Sequence, residues 1–225
     1  MVVSSWRTAE VSAVVGSRTP QYAGFNRVME GKRQVGSIIK PFVYLTAFHN
    51  GIHTGTMVND APITVKLADG KLWQPHNDDK KYHGRIPTYV AMARSMNVPT
   101  VKIGMRVGLN HVRDTLMNVG IEKSRIPFYP SMLLGTIELT PFEVTQIYTS
   151  LATGGSYKDL TTLRTVVKDG KIVYERANSK VKPTLDPRDS YLTMYVMTEA
   201  TKIGTGRRIG RLFPNVNIAT KTGTT

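Results

Sequence analysis

Arg33-Gln-Val-Gly-Ser-Ile-Ile-Lys-Pro-Phe-Val-Tyr-Leu-Thr-Ala47 decides how this chain is built. From Ser37 to Asn50 the apolar residues Ile38, Ile39, Phe42, Val43, Leu45, Ala47 and Phe48 crowd the helical register. That density predicts a largely buried helix, with Ser37 near its start and Gly51 just past its end. Pro41 falls in the first turn or two, where a missing N–H is tolerated. Within it, Ser37 and Lys40 stand three positions apart and share a face, at about 5–6 Å between Cβ atoms. A serine hydroxyl is a poor nucleophile until a neighbouring base takes its proton. Lysine serves as that base only if burial or a nearby cation lowers its pKa. A serine at a helix start also presents its own N–H where an oxyanion could sit.

Two further polar motifs follow in order, Ser95-Met-Asn97 and Lys221-Thr-Gly-Thr224. The second motif adds a hydroxyl and an amide. The third adds an ammonium, and Lys221 would depress Lys40 if the fold brought the two together. Each motif alone is a common pattern; their order and chemical complementarity point to serine acyl transfer.

Composition sets the bounds. The chain has 225 residues, 40% hydrophobic and 20% charged, as expected of a globular protein of one domain or two small ones. With no cysteine there is no disulfide, thiolate metal site or Cys nucleophile. Formal charge is +14, but the basic residues form small scattered clusters (Lys32-Arg33, Lys80-Lys81, Arg207-Arg208 with Arg211). No basic helix or interleaved aromatics accompany them, which argues against nucleic acid as partner. No apolar run approaches the roughly 18–20 residues that span a bilayer, and Met1–Arg7 lacks the pattern of a signal peptide. His49 and His53 are separated by Gly51, which breaks the helix a metal pair would need. The sequence therefore predicts no metal and no cofactor. Asp78-Asp79 beside His76 and His83 reads as a polar loop near a cleft, and Met92, Met96 and Met105 as core.

Val11–Gly16 reads as a strand paired with Met1–Ser5 across a turn at 6–10. Ile63–Leu67 and the Trp73 region read as a hairpin around Asp69-Gly70, and 163–168 with 171–175 as another around Asp169-Gly170. Helices are predicted over 87–93, 99–107, 110–119, 141–152 and 187–202. Thr140 is the expected N-cap of the fourth, with Pro141 first and Glu143 closing a capping box. Asn217–Thr220 should be a strand leading into Lys221. Strands at both ends with helices between predict α/β, or α+β in some schemes.

The flanks of these motifs carry a resemblance. Residues 33–47, Ala93-Arg-Ser-Met-Asn-Val-Pro-Thr-Val101, Gly135-Thr-Ile-Glu-Leu-Thr-Pro-Phe-Glu-Val144 and Gly204-Thr-Gly-Arg207 resemble the transpeptidase domain of class A, bifunctional penicillin-binding proteins. Gln21-Tyr-Ala-Gly-Phe-Asn-Arg27 and Pro75-His-Asn-Asp-Asp79 narrow the likeness to one Gram-negative type. The resemblance implies an antiparallel sheet flanked by helices, with a helical subdomain over about 51–160 inserted between sheet segments 1–16 and 161–225. It implies Ser37 as the nucleophile on the penultimate D-alanine of a peptidoglycan stem peptide, and Lys40 as its base. Ser95 would relay a proton to the leaving amine with Lys221 tuning it, and Asn97 would hold the donor and help orient Lys40. Backbone N–H groups of Ser37 and Thr224 would form the oxyanion hole. The strand of Thr222, Gly223 and Thr224 would bind the substrate, its two threonine hydroxyls taking the carboxylate. An amine of a neighbouring stem then resolves the acyl-enzyme, and a β-lactam imitates the donor.

Class A β-lactamases of the same fold carry Ser-Asp-Asn where this chain has Met96, and a deacylating glutamate in Glu-x-x-Leu-Asn. None of Glu122, Glu138, Glu143, Glu175 or Glu199 has that sequence after it. A transpeptidase is thus expected over the alternative of a β-lactamase or β-lactam sensor. The resemblance also implies two strands and a helix beyond Thr225, and a glycosyltransferase domain and membrane anchor elsewhere in the protein. The chain is therefore expected to be a piece of a longer protein at the periplasmic face of a bacterial inner membrane. Alone, it would be poorly folded or an inactive fragment with an unpaired third-motif strand.

Overall fold

The computed structural model describes residues 1–19, 24–176 and 181–224, so Gln21–Ala23 of the Gln21–Arg27 motif lie outside the described residues. A single 3₁₀ turn, Gly36–Ile39, leads into α1 (Lys40–His49). Nine of the ten residues of α1, Lys40 to Phe48, are buried. A helix apolar on all faces has no solvent side to show, so the rest of the chain must wrap it. That is done by α2 (Thr88–Ala93), α3 (Asn97–Val107), α4 (Leu109–Asn118), α5 (Pro141–Ala152) and α6 (Pro187–Ile203), with the short α7 (Arg207–Leu212) against α6. Among them α3, α4 and α6 pack directly on α1. One core joins Phe42, Tyr44 and Phe48 of α1 to Met92, Val101, Leu116, Leu151 and Val196.

Two of the helices carry side-chain caps, that of α5 as the sequence predicts. Thr140 Oγ1 accepts from the Glu143 N–H while the Glu143 carboxylate accepts from the Thr140 N–H, a closed capping box with Pro141 following. The Asp186 side chain accepts from the Arg188 and Asp189 N–H groups at the start of α6.

The expected α/β architecture of helices with antiparallel strands is present, its strands short and paired in twos. Among the described residues the strands form six separate two-stranded antiparallel ladders, including Val2–Ser4 with Val11–Val14, Met57–Asp60 with Gly84–Pro87, and Thr165–Lys168 with Lys171–Glu175. The expected strand at Asn217–Thr220 is absent. The backbone there is anchored to a helix instead, Thr220 N–H donating to the Met197 carbonyl of α6.

One ladder positions the nucleophile. Arg33–Gln34 pairs with Glu138–Leu139, and Val35 and Gly36 continue it by bonding to the carbonyls of Ile137 and Gly135. Gly135 has φ +85°, and a Cβ there would lie 2.0 Å from the Gly36 carbonyl oxygen. Only glycine permits that approach. From the other side, Tyr148 of α5 donates to the Ile38 carbonyl at 2.8 Å and meets Phe42 edge-on. Gly135→Ala should therefore lower unfolding free energy by about 2 kcal/mol or more in a urea titration. Gly154→Ala, also at positive φ but with open space around it, should cost only about 1 kcal/mol.

Candidate active site

Residues from three distant segments meet at the start of α1. Lys40, completely buried, donates from Nζ to the Ser95 carbonyl at 2.6 Å, to Ser95 Oγ at 3.4 Å and to Asn97 Oδ1 at 2.6 Å. From the opposite side Lys221 Nζ donates to the same Ser95 Oγ at 2.7 Å, and to the Thr222 carbonyl at 2.8 Å. Ser95 Oγ thus sits between two ammonium-bearing side chains. Burial pushes the Lys40 pKa down to about 7, and the charge of Lys221 adds to the fall, opposed by the carboxylate of Asp78. Burial likewise brings Lys221 down to about 8. Near neutrality a substantial fraction of Lys40 is unprotonated and able to accept a proton.

Ser37 is half-buried on the 3₁₀ turn that precedes Lys40. The expected helical face shared by Ser37 and Lys40 is modified by that turn, in which positions three apart eclipse each other. Among the described residues, the hydrogen bonds of Lys40 Nζ run to Ser95 and Asn97 and none to Ser37. Gly223 lies against the same turn, since a Cβ there would come 2.8 Å from Ile38 Cγ1. Thr222 Oγ1 donates to Thr205 Oγ1 at 2.8 Å, tying the third motif to the segment after α6. Thr224 is exposed. Ser37, Lys40, Ser95, Asn97, Lys221, Thr222 and Gly223 are therefore drawn to one locale.

Ser95 has φ +57°, unusual for a residue with a Cβ. The reason is local. Its N–H bonds to the Met92 carbonyl and the Met96 N–H to the Ala91 carbonyl. That pair of bonds closes α2 as a Schellman motif, and Ser95 fills the left-handed position that glycine normally takes. The strain aims the Ser95 carbonyl and hydroxyl at Lys40.

The sequence reading missed Asp60, Asn77 and Thr205 as neighbours of the site. Asn77 stood within a quoted motif, Pro75–Asp79, but nothing in its spacing signalled contact with Asn97. His49, set aside as a metal ligand, instead bonds through Nδ1 to the buried Asp189 carboxylate at 2.9 Å, linking α1 to α6. A cleft of about 470 Å³ opens beside Ser95, bordered by Asp78, Asp79, Arg94, Thr205 and Arg207.

Comparison with known proteins places this geometry. The profile of the penicillin binding protein transpeptidase domain matches residues 1–225. Penicillin-binding protein 1B of Escherichia coli strain K12 is 40% identical over 230 residues, covering all of this chain and 27% of that protein. Its namesake in Vibrio cholerae is 40% identical over 97% of this chain and 28% of the relative. This chain thus spans little more than a quarter of the length of those relatives. Among solved structures, penicillin-binding protein 1A from Haemophilus influenzae superposes with a TM-score of 0.89 at 23% identity, over 96% of this chain and 38% of that one. An imipenem acyl-enzyme of penicillin-binding protein A from M. tuberculosis gives 0.76 at 20% identity, over 89% and 50%. At such identities the two structures speak for the fold.

Two outcomes follow from the site. Ser95→Gly should be about 1 kcal/mol more stable than Ser95→Ala in chemical denaturation, because only glycine relieves the left-handed strain. In Lys221→Met the Lys40 pKa should rise above about 7, as a repelling charge is lost, and NMR titration of the lysine side chains would show the change.

Proposed function

The chain belongs to the penicillin-binding protein transpeptidase domain family, and from that premise we propose that it is the acyl-transfer unit of a class A penicillin-binding protein of the 1B type, crosslinking peptidoglycan. The observation that carries the reading is the buried Lys40, whose Nζ is gripped by Ser95 and Asn97 with Lys221 opposite.

In this reading Lys40 takes the proton of Ser37 Oγ as it attacks the penultimate D-alanine carbonyl of a stem peptide. The N–H groups of Ser37 and Thr224 receive the oxyanion. Collapse of the tetrahedral intermediate breaks the peptide bond, and Ser95 passes a proton to the departing D-alanine amine, with Lys221 supporting its hydroxyl. Asn97 holds the donor chain, and Thr222, Gly223 and Thr224 receive its terminal carboxylate. An amine of a second stem then attacks the ester, forms the crosslink and returns the proton, freeing Ser37. A β-lactam acylates the same serine but leaves no departing amine, so the ester persists.

Support for aminolysis over hydrolysis comes from the glutamates. Glu143 is engaged by Arg125 and by the Thr140 N–H, and Glu199 by Lys202. Both carboxylates are committed to these partners, Glu143 within the cap of α5 and Glu199 on α6. We further infer that the chain works as part of a longer protein with a glycosyltransferase domain and a membrane anchor, at the periplasmic face of the inner membrane. Residues 51–160 would be its helical subdomain. Among the described residues no helix is long and apolar enough to cross a membrane.

Fluorescent penicillin should label the longer protein that carries this chain one-to-one, and Ser37→Ala should abolish the label. Lys40→Met should slow labelling by about 10³-fold, in the range for a lost general base. Labelling that survives Ser37→Ala would overturn the assignment, and rapid turnover of a chromogenic cephalosporin would favour a hydrolase.

A further inference from the structure

The second motif is held from behind by groups outside all three motifs. Helix α3 starts at Asn97, and its N-cap, Met96, has no side chain able to accept the first free N–H groups. Asn77, 20 residues earlier and buried, supplies the acceptor: its Oδ1 receives the Asn97 N–H at 3.0 Å and the Val98 N–H at 3.1 Å. This is an N-cap delivered from another segment. Its neighbour His76 takes the Asn97 side-chain amide, Nδ2 donating to the His76 carbonyl at 2.9 Å. With Nδ2 so engaged, Oδ1 of Asn97 is left to face Lys40.

Asn77 is itself fixed. Its Nδ2 donates to both oxygens of Asp60, at 2.8 and 2.9 Å, and to the Lys81 carbonyl at 2.9 Å. Donors on one side and acceptors on the other allow a single orientation of the amide. Asp60 is completely buried at the end of its strand, and its Oδ2 also faces the N–H and Nδ1 of His83. Lys102, one and a half turns along α3, clamps the carbonyls flanking Asp60, donating to Asn59 and Ala61 at 2.9 and 2.8 Å. A buried carboxylate without donors would be very costly. Here every donor it collects also fastens the loop that carries Asn77.

We propose that Asn77, held by Asp60, is a positioning residue for acyl transfer: it sets the start of α3 so that Asn97 Oδ1 and the Ser95 carbonyl meet Lys40. The chemistry rests on the acyl-transfer reading above; the geometry does not. Asn77 touches no reacting atom. It acts by keeping Lys40 in one place, and small displacements at such a point cost rate steeply.

The test uses the longer protein that carries this chain, and three variants. Asn77→Leu keeps the branching and heavy-atom count of the side chain and removes every side-chain hydrogen bond. Asn77→Asp keeps the acceptor for α3 but sets a carboxylate against Asp60. The swap, Asp60→Asn with Asn77→Asp, rebuilds an amide–carboxylate pair with an acceptor still on α3. Acylation by fluorescent penicillin should fall about 10²-fold in Asn77→Leu, the scale seen for slight misplacement. The swap should regain at least about tenfold over Asn77→Asp alone, a coupling expected only of contacting residues. NMR titration of Lys40 supplies a readout that a purely structural loss would not move. In Asn77→Leu its pKa should fall further, since Asn97 no longer stabilises the ammonium reliably. Val112→Ala, a destabilising change in the core of α4, should leave that titration in place. An unmoved Lys40 titration in Asn77→Leu, or a swap no faster than Asn77→Asp, overturns the relay. Should the longer protein with the unmodified sequence resist penicillin, the acyl-transfer reading fails, and the Lys40 titration still decides the positioning role of Asn77 on its own.

Discussion

Burying the ammonium of Lys40 is the constraint on which the rest of this structure depends. An isolated charge in a protein interior is so unfavourable that it is neutralised or surrounded by acceptors. Both happen here. The Ser95 carbonyl and Asn97 Oδ1 each lie 2.6 Å from Nζ, and burial with a second lysine nearby brings the pKa to about 7. Neither acceptor is charged, so the ammonium is tolerated without being locked in. A carboxylate in their place would hold the proton far more firmly and leave no base.

Meeting that demand shapes the surroundings. The acceptors must come from a different part of the chain, because a helix start buried on every side has no free carbonyl of its own in reach. The turn between α2 and α3 supplies them, and it does so by placing Ser95 in a left-handed conformation. Glycine would make the same turn with less strain but would offer no hydroxyl between Lys40 and Lys221. Cost of this kind gathers where it serves chemistry. The capped α5 and the ladder at Arg33–Gln34 do the corresponding work on the Ser37 side.

How far the sequence told this in advance follows from the range of the forces involved. The buried helix after Ser37, the Thr140–Glu143 box and the hairpins at Asp69-Gly70 and Asp169-Gly170 depend on residues within a few positions of each other, and each formed where local chemistry placed it. Lys40, Ser95, Asn97 and Lys221 were legible as chemistry, though not their distances. The strand predicted at Asn217–Thr220 did not form, because a strand exists only through its partner, and the partner of Thr220 is a helix carbonyl. Asn77 was invisible for the same reason. A side chain that caps a helix 20 residues away leaves no periodic trace.

That last point bears on how such a site holds together. The three motifs contain the groups that touch substrate in the proposed reaction, yet none of them fixes its own position. Ser37 is held by a backbone pairing with Gly135 that only glycine allows. Asn97 is held by Asn77, which in turn leans on Asp60. Lys221 is held through Ser95 and the Thr222–Thr205 contact. Reactive side chains must stay weakly committed, or they could not exchange protons. Rigid placement therefore has to come from groups one layer back, fully buried and fully hydrogen-bonded, where commitment carries no chemical penalty. Asp60, at zero exposure with Asn77 and His83 directing their donors at it from the loop it anchors, is the deepest of these, and the site is as precise as that carboxylate is immobile.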